Sequence, residues 1–280
     1  MYKTNKIFFL LPLLVVLTGC MKTIPEQDNN ARGPAPTLAS SQPFSYDDYG
    51  NVLANYVNDR GLVNYEALQG DRVQLDNFNT RLAAVTPETY AAWTENEQLA
   101  FWINAYNSLT LQSIIDQNPL KESIRDIPGV WKRRKFSIAG EAKTLDNIEH
   151  DTIRVDFNEP RIHVALVCAA ISCPILLNEP YQAETLDEQL DEQVRQFIVS
   201  PHGFRIDRSE GRVYLSSIFK WYGQDWEPDY EIDDKFAGNS KQRAVLNFLS
   251  SYLNEDDRKY LEVGDYKVRY LDYDWSLNKQ

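Results

Sequence analysis

The sequence predicts an α+β fold, a single domain in which a small β-sheet packs against a central buried helix. Three observations support this prediction. The run from Gln98 to Ile115 is apolar on nearly every side of a helix, and residues 161–168 form a continuous apolar, β-branched segment typical of a buried strand. Helices and strands also mix without the regular alternation of a parallel α/β fold.

Capping patterns predict where two helices begin. Thr94-Glu95-Asn96-Glu97 has capping-box spacing and opens the central helix. Thr185-Leu186-Asp187-Glu188 repeats the pattern before a second helix, which we expect on the surface with its acidic face outward. The apolar stripe of this second helix consists of Leu186, Leu190, Val194 and Phe197.

Alternating and β-branched segments predict the strands. Residues 204–207 and 212–215, separated by Arg208-Ser-Glu-Gly211, are typical of a hairpin. Residues 135–138 and 266–271 are shorter candidates. The run Arg161-Ile-His-Val-Ala-Leu-Val-Cys168 is the strongest strand prediction, with both faces expected to be buried.

The N-terminus has the features of a lipoprotein signal peptide. Lys3 and Lys6 precede an apolar stretch that is too short to cross a bilayer, and the stretch ends in Leu17-Thr18-Gly19-Cys20. This pattern resembles the lipobox, so residues 1–19 are expected to be removed and Cys20 to be acylated. Residues 20–44 then form the lipidated cysteine and a flexible tether, and residues 45–280 form the folded domain. Without an Asp beside Cys20, the rule of enteric-type bacteria favours the outer membrane.

The charge balance excludes nucleic acid as an expected partner. Without residues 1–19, which contain Lys3 and Lys6, the chain has 27 basic and 41 acidic side chains and a formal charge of −14. Such a surface repels phosphate backbones. The expected partner is the membrane, through the N-terminal lipid; a protein or glycan partner is not identified. There is no glycine-rich phosphate loop, no G-x-S-x-G and no H-E-x-x-H, and no cofactor is expected.

Several motifs resemble the domain-of-unknown-function 547 family in order and spacing. They are Phe101-Trp-Ile-Asn-Ala-Tyr-Asn107, Leu145-Asp-Asn-Ile-Glu-His150, residues 161–168 followed by Ser172-Cys173-Pro174, and Tyr273-Asp-Trp-Ser-Leu-Asn278. The resemblance spans roughly residues 46–278 and looks like that of a bacterial lipoprotein member. It brings no established reaction, so it implies a domain and a set of residues to examine.

Three polar residues occupy positions where the pattern favours apolar ones. His163 lies in the predicted strand, and Asn104 and Asn107 share a face of the central helix. Because a buried amide or imidazole is costly without a partner, each needs a hydrogen bond. The partners are either the backbone of neighbouring loops, which would make these residues structural, or the groups of a catalytic site.

Cys168 and Cys173 admit two interpretations. In an oxidising compartment they can close a small disulfide. Alternatively, Cys173 is a nucleophile at a helix start, with Pro174 in the first helical position, His163 as base, and Asn104, Asn107 or a carboxylate orienting that base. A His on a core strand with a Cys at a helix start follows the logic of papain-like folds, by analogy alone.

Two further interpretations concern His150 and a possible metal site. Glu149 and His150 are candidates for the acid or base of the site, or a surface pair. A zinc site made of His150, His163, Cys168 and Cys173 is disfavoured, because residues 163 and 168 of a regular strand point to opposite faces. No metal is therefore expected.

These residues support two hypotheses about function. The first is a cell-envelope cysteine-dependent hydrolase or transferase acting on peptide or amide bonds. The second is a non-catalytic envelope binding or scaffold module with a Cys168–Cys173 disulfide, in which the aromatic run from Tyr270 to Trp275 is a candidate contact surface.

Overall fold

A computed structural model of the protein describes residues 44–280. The predicted signal segment 1–19, the acylation site Cys20 and the tether up to Pro43 lie outside the described residues. Within the described part of the chain, no helix is both long enough and apolar enough to span a membrane.

The described region is mainly helical. Its α-helices are α1 (Asp47–Tyr56), α2 (Tyr65–Gly70), α3 (Val73–Ala84), α4 (Pro87–Ala91), α5 (Glu95–Ile115), α6 (Leu145–Ile148), α7 (Arg154–Asp156), α8 (Leu186–Val199), α9 (Ser217–Tyr222), α10 (Glu227–Tyr230), α11 (Ser240–Ser250) and α12 (Glu255–Val263). A π-helical turn, Glu149–Ile153, joins α6 to α7. Short 3₁₀ segments are Ile124–Asp126, Pro160–Val164, Ala183–Thr185 and Gly223–Trp226.

The central helix α5 forms as predicted. Thr94 and Glu97 make the reciprocal capping box, with the Thr94 N–H donating to Glu97 Oε2 at 2.7 Å and the Glu97 N–H donating to Thr94 Oγ1 at 3.3 Å. Nearly all of its residues from Leu99 onward are buried, and it packs against α2, α3 and α6. Helix α5 is therefore the central helix of the larger apolar core.

Two small sheets complete an α+β fold, which confirms the predicted class. Strands β1 (Phe136–Ile138) and β2 (Glu141–Lys143) form an antiparallel pair. Strands β3 (Phe204–Asp207), β4 (Arg212–Leu215) and β5 (Lys267–Tyr270) form the second sheet in the order β3-β4-β5, and its main helical contact is α8. The β3–β4 hairpin has the predicted bounds, whereas β5 adds to β4 in parallel.

The strand predicted for residues 161–168 is wrong. Its first half is the 3₁₀ helix Pro160–Val164, with Pro160 in the first turn and Glu159 capping the Arg161 N–H. The second half is an irregular buried loop whose backbone is bonded by side chains instead of by a neighbouring strand. A short apolar run records burial, and burial alone does not distinguish a strand from other buried backbone.

Helix α8 also forms as predicted, with a difference at its start. Leu186, Leu190, Val194 and Phe197 are buried along one stripe. Thr185, however, makes no capping bond to the helix backbone; its hydroxyl donates to the Gln189 side chain at 3.3 Å. The first two stripe residues belong to the core around α5 and the last two to a second core around Trp226, so α8 joins the two cores.

Candidate functional site

A cleft of about 320 Å³ collects most of the chemically competent side chains. It lies where helix α9, the π-helical turn, the loop of residues 165–173 and the C-terminal segment of residues 271–280 meet. The lining residues are Tyr106, Trp131, Lys132, Asp146, Glu149, His150, His163, Leu166, Cys168, Cys173, Ile218, Trp221, Tyr222, Tyr273 and Trp275. A concave, mainly apolar site with a few convergent polar groups is typical of a ligand site.

The loop of residues 165–173, here called the thiol loop, is fixed by a side chain of α5. The Asn107 amide donates to the Ala165 carbonyl at 2.9 Å and accepts from the Val167 N–H at 2.8 Å. The chain then turns at Ala169, whose φ of 61° lies in the left-handed region, and Ala170 bridges to Leu277 of the C-terminal segment. This reversal brings Cys173 back beside Cys168.

The Cys173 sulfur has two hydrogen-bonding neighbours. The Cys168 N–H donates to it at 3.2 Å, and the Tyr273 hydroxyl lies 3.1 Å away. Burial acts to raise the pKa of Cys173, but hydrogen bonds from the Cys168 thiol and the Tyr273 hydroxyl outweigh burial, so the net pKa is lowered. Cys173 is therefore the sulfur of the cleft that favours the thiolate.

Cys168 has the opposite character. Its hydrogen bond to Cys173, followed by burial, raises the pKa of the Cys168 thiol well above its ordinary value. Its sulfur lies 3.4 Å from the Tyr273 hydroxyl, which therefore contacts both cysteines. Both cysteines are free, so the alternative prediction of a Cys168–Cys173 disulfide is not realised in this structure. Hydrogen bonds close the loop in its place.

A chain of charged groups forms the other side of the cleft. Asp225 accepts from Arg154 Nε at 2.6 Å and Nη2 at 2.8 Å, and it bonds His163 Nε2 at 2.8 Å. Burial acts to raise the pKa of Asp225, but hydrogen bonds from His163 and Arg154 outweigh it and hold that pKa well below the ordinary value. The carboxylate thus neutralises Arg154 and orients His163.

The same arginine fixes the tautomer of His150. Arg154 Nη1 lies 3.0 Å from His150 Nδ1. Because a guanidinium only donates, Nδ1 must accept, and the proton of the neutral ring is on Nε2, which faces Asp146 at 3.7 Å. Arg154 therefore holds His150 beside Glu149, with Nε2 directed toward Asp146.

Glu149 is the most buried carboxylate of the cleft, with 8 % of its surface exposed. It begins the π-helical turn, a geometry that often occurs at functional sites. Its Oε1 is 3.9 Å from His150 Nδ1, too long for a hydrogen bond. Burial and then the charge of Glu149 raise the pKa of the Tyr222 phenol above its ordinary value. Glu149 is thus a cleft carboxylate without a guanidinium partner.

Residues 90–198 match the family model described as "Protein of unknown function, DUF547". The match covers 109 of the 280 residues. No curated protein and no solved structure matches. The matched range includes Glu149, His150, His163, Cys168 and Cys173, whereas Asp225 and Tyr273 lie beyond it.

The fold separates residues that the sequence analysis grouped together. Asn104 bonds the Tyr181 backbone through its Nδ2 at 2.8 Å and its Oδ1 at 3.0 Å, and Asn107 bonds the thiol loop. Both amides therefore have the structural role that was the alternative to catalysis, because their polar atoms are used by backbone groups. Neither makes a hydrogen bond to His163.

The predicted pairing of Cys173 with His163 is also corrected. Both residues line the cleft, but no hydrogen bond joins them: His163 Nε2 is bonded to Asp225, and the ring stacks on Tyr222 at a centroid distance of 4.2 Å. The expected helix at Pro174 is absent from the described chain, since an irregular segment follows Cys173. Backbone and phenol hydrogen bonds to Cys173 replace the expected helix N-terminus.

Two residues of the site escaped the sequence interpretation. Asp225 lies in a 3₁₀ segment, Gly223–Trp226, with no motif around it, although a carboxylate partner for His163 was one of the alternatives considered. Tyr273 belongs to the C-terminal family motif and to the aromatic run, but neither pattern pairs it with the cysteines. Among the described residues, His150, His163, Cys168 and Cys173 line one cleft but form no cluster placed to hold a metal ion.

Proposed function

We propose that this protein is a cell-envelope lipoprotein whose cleft is the active site of a cysteine-dependent hydrolase or transferase acting on peptide or amide bonds. The observation that carries the proposal is the Cys173 sulfur, which lines an aromatic cleft and receives hydrogen bonds that favour the thiolate. A thiolate stabilised by hydrogen bonds is the form in which a cysteine acts as a nucleophile.

The proposed reaction uses Cys173 and Glu149. Glu149 accepts the thiol proton through a cleft water, and the thiolate attacks the substrate carbonyl carbon. A carbon–sulfur bond forms, the carbon–nitrogen bond breaks, and the protonated Glu149 returns its proton to the leaving nitrogen. Water in a hydrolase, or an amine in a transferase, then cleaves the thioester with Glu149 as base, which restores the thiol.

His163 and Asp225 have a supporting role in this proposal. His163 Nε2 and Arg154 both bond Asp225, and Arg154 in turn holds His150 beside Glu149. This replaces the earlier expectation that His163 is the base, since its ring is packed between Tyr222 and Trp226.

An ester substrate tests the nucleophile directly. The full-length protein mixed with p-nitrophenyl acetate is expected to release a burst of p-nitrophenolate, with one acetyl group recovered on Cys173 by mass spectrometry. Cys173→Ser abolishes the burst, whereas Val199→Ser, a surface change at a residue that is 81 % exposed, leaves it intact. Acetylation spread over surface lysines with no Cys173 adduct contradicts the proposal.

Isosteric replacement of Glu149 separates the base from the nucleophile. Glu149→Gln is expected to slow turnover by about a hundredfold or more, the usual contribution of a general base. Acetylation of Cys173 by the activated ester should slow less, because the hydrogen bonds to Cys173 still favour its thiolate. A panel of peptide p-nitroanilides then tests the amide specificity. Unchanged turnover in Glu149→Gln removes Glu149 from the reaction.

The envelope location rests on the lipobox at Cys20 and has its own test. In cells grown with labelled palmitate, the wild-type protein is expected to carry the label and to sediment with outer-membrane vesicles. Cys20→Ser is expected to lose both the label and the sedimentation. A wild-type protein that remains unlabelled contradicts the anchoring.

A second candidate function is a non-catalytic module that binds a protein or glycan. Trp221 favours it, because this side chain is 41 % exposed beside the cleft and stacks on Trp275 at 5.8 Å. Exposed tryptophans that present one face to solvent are common in ligand sites. Ligand-induced quenching of tryptophan fluorescence that is unaffected by Cys173→Ser and lost in Trp221→Ala would identify a binding role.

A further inference from the structure

Two cysteine sulfurs contact the hydroxyl of one tyrosine in the cleft. The Tyr273 hydroxyl lies 3.1 Å from Cys173 Sγ and 3.4 Å from Cys168 Sγ, so the sulfurs are no further apart than the sum of these distances. The reversal of the chain at Ala169 places both thiols on one side of the loop. The ester chemistry proposed above does not use the Cys168 thiol.

The two thiols differ in the way that a nucleophilic and a resolving cysteine differ. Cys173 receives the Cys168 N–H and the Tyr273 hydroxyl and favours the thiolate. Cys168 instead has a raised pKa, because its thiol bonds Cys173 and is buried. A stabilised thiolate beside a protonated partner is the resting state of a dithiol that exchanges with disulfides.

We propose that Cys173 and Cys168 form a dithiol centre that reduces small organic disulfides entering the cleft. The Cys173 thiolate attacks one sulfur of the substrate, forms a mixed disulfide and releases the first thiolate, which takes a proton. Cys168 then loses its proton and attacks Cys173 Sγ, which releases the second substrate thiol. One disulfide and two protein thiols thus become two free thiols and the Cys168–Cys173 disulfide, a transfer of two electrons. This activity shares Cys173 with the proposed function but does not depend on it.

The charges of the cleft select among disulfides. Asp146 and Glu149 line it, and Arg154 is neutralised by the bidentate pair with Asp225. Lys132 is the cation that lines the cleft with them; its side chain is 77 % exposed and its Nζ is 3.9 Å from Asp146 Oδ1. Glu149 makes no salt bridge to a Lys or Arg among the described residues. The aromatic walls also favour sulfur, since thioether and disulfide sulfurs pack well on rings. The preferred substrate class is therefore a cationic or neutral disulfide rather than an anionic one.

Cystamine, bis(2-hydroxyethyl) disulfide and 3,3′-dithiodipropionate are similar in size and differ in charge, so they form a matched series. Each rate with the full-length protein is divided by the rate of the same disulfide with a small free thiol, which removes intrinsic reactivity. Cystamine is expected to exceed the dianion by about tenfold at low salt, and the difference is expected to shrink as salt screens the cleft. A corrected ratio of one, or a preference for the dianion, overturns the charge selection.

Mass spectrometry follows the two steps on a single peptide. No Lys or Arg lies between residues 162 and 194, so trypsin leaves both cysteines on the peptide of residues 162–195 and separates them from Cys20. In the wild-type protein this peptide is expected to lose two hydrogens after cystamine treatment, with two equivalents of cysteamine released. Cys168→Ser is expected to stop at a stable cysteamine adduct on Cys173.

Cys173→Ser is expected to react with cystamine at least about tenfold more slowly, because burial of the remaining Cys168 still disfavours its thiolate. Circular dichroism of both variants shows whether each is folded. A wild-type protein that keeps both thiols, or that accumulates the same stable adduct as Cys168→Ser, overturns the dithiol centre.

The ester burst distinguishes the two proposals. A burst on Cys173 without formation of the internal disulfide leaves the proposed function standing and removes the dithiol centre. An internal disulfide with no ester burst does the reverse.

Discussion

The two sides of the cleft are built with opposite kinds of interaction. On one side, the thiol wall of Cys168, Cys173 and Tyr273 is uncharged apart from the thiolate and is held by hydrogen bonds of the thiol loop. On the other side, the ionic wall contains His150, Arg154, His163 and Asp225, linked in series by charge-assisted hydrogen bonds. The charges of the ionic wall are paired with one another, whereas the thiol wall leaves its sulfurs lining the cleft.

The largest effect is expected where the thiol wall depends on α5. Asn107→Ala removes the partners of the Ala165 carbonyl and the Val167 N–H, both inside the core, and leaves a small cavity. We expect the free energy of unfolding to fall by about 3–4 kcal/mol. Denaturant titration measures it.

The matched control is Asn96→Ala on the exposed first turn of the same helix, where we expect a loss of no more than about 0.5 kcal/mol. Equal losses in the two variants would mean that the thiol loop holds its shape without the Asn107 amide.

The second largest effect is expected from a substitution that breaks the ionic wall. Asp225→Ala leaves Arg154 and His163 without their carboxylate, and we expect a loss of about 3 kcal/mol, the usual result of removing one partner of a largely buried pair. Alkylation of Cys173 by iodoacetamide should change little, because Asp225 does not contact the thiol wall. Lys259→Ala, which breaks an exposed pair with Glu255, is the control and should cost no more than about 0.5 kcal/mol.

The pH dependence of this loss sharpens the comparison. The folded pKa of Asp225 is depressed, so its contribution to stability is present above the unfolded pKa of about 3.9 and is lost as pH falls through the lower folded value. The difference between the wild-type protein and Asp225→Ala should therefore be constant from about pH 5 upward and shrink in more acidic solution. A difference that grows on acidification would contradict the assigned ion pairs.

A smaller effect is expected within the thiol wall. Tyr273→Phe removes one hydrogen bond to the Cys173 sulfur, so the pKa of Cys173 should rise and its alkylation near neutral pH should slow by about tenfold. Stability should fall by no more than about 1 kcal/mol, because the ring remains and the cleft admits water. The rate profile against pH is the measurement. Tyr214→Phe, outside the cleft on strand β4, should leave that profile unchanged.

The smallest effect on stability is expected at the mouth of the cleft. Trp221→Ala removes a side chain that is 41 % exposed, and we expect a loss of no more than about 1 kcal/mol with Cys173 alkylation nearly unchanged. Of the variants described here, Trp221→Ala should show the largest change in ligand-induced quenching of tryptophan fluorescence. A large loss of stability in Trp221→Ala would mean that both walls of the cleft depend on packing against this side chain.

The sequence predicted the elements whose signals are local. The capping box and continuous apolar run of α5, the stripe of α8 and the turn between β3 and β4 each depend on neighbouring residues, and all three are confirmed. The strand predicted for residues 161–168 is wrong because an apolar run indicates burial only. Whether a neighbouring strand is present to hydrogen-bond with the run depends on residues far away in the sequence. Asn107 and Gln193 supply those bonds from other helices.

The site was also predicted only in part, because its motifs are local and the partners of their residues are distant in the sequence. Cys173, Cys168, Glu149 and His150 were identified from their motifs, and all four line the cleft. The Asp225 partner of His163 lies 62 positions away along the chain, and the Tyr273 partner of Cys173 lies 100 positions away. No spacing rule connects such pairs, so only the folded arrangement assigns them.

The C-terminal segment has a consequence for the timing of biosynthesis. Asn278 bonds Tyr65 at 2.6 Å, Leu277 donates to the Glu122 carbonyl at 2.8 Å, and Tyr273 reaches the two sulfurs. These residues leave the ribosome after the rest of the described domain, and their contacts span most of its length. A nascent chain therefore holds Cys173 without the phenol that favours its thiolate. The hydrogen bond between Tyr273 and Cys173 can therefore form only after residues 271–280 have docked onto the domain.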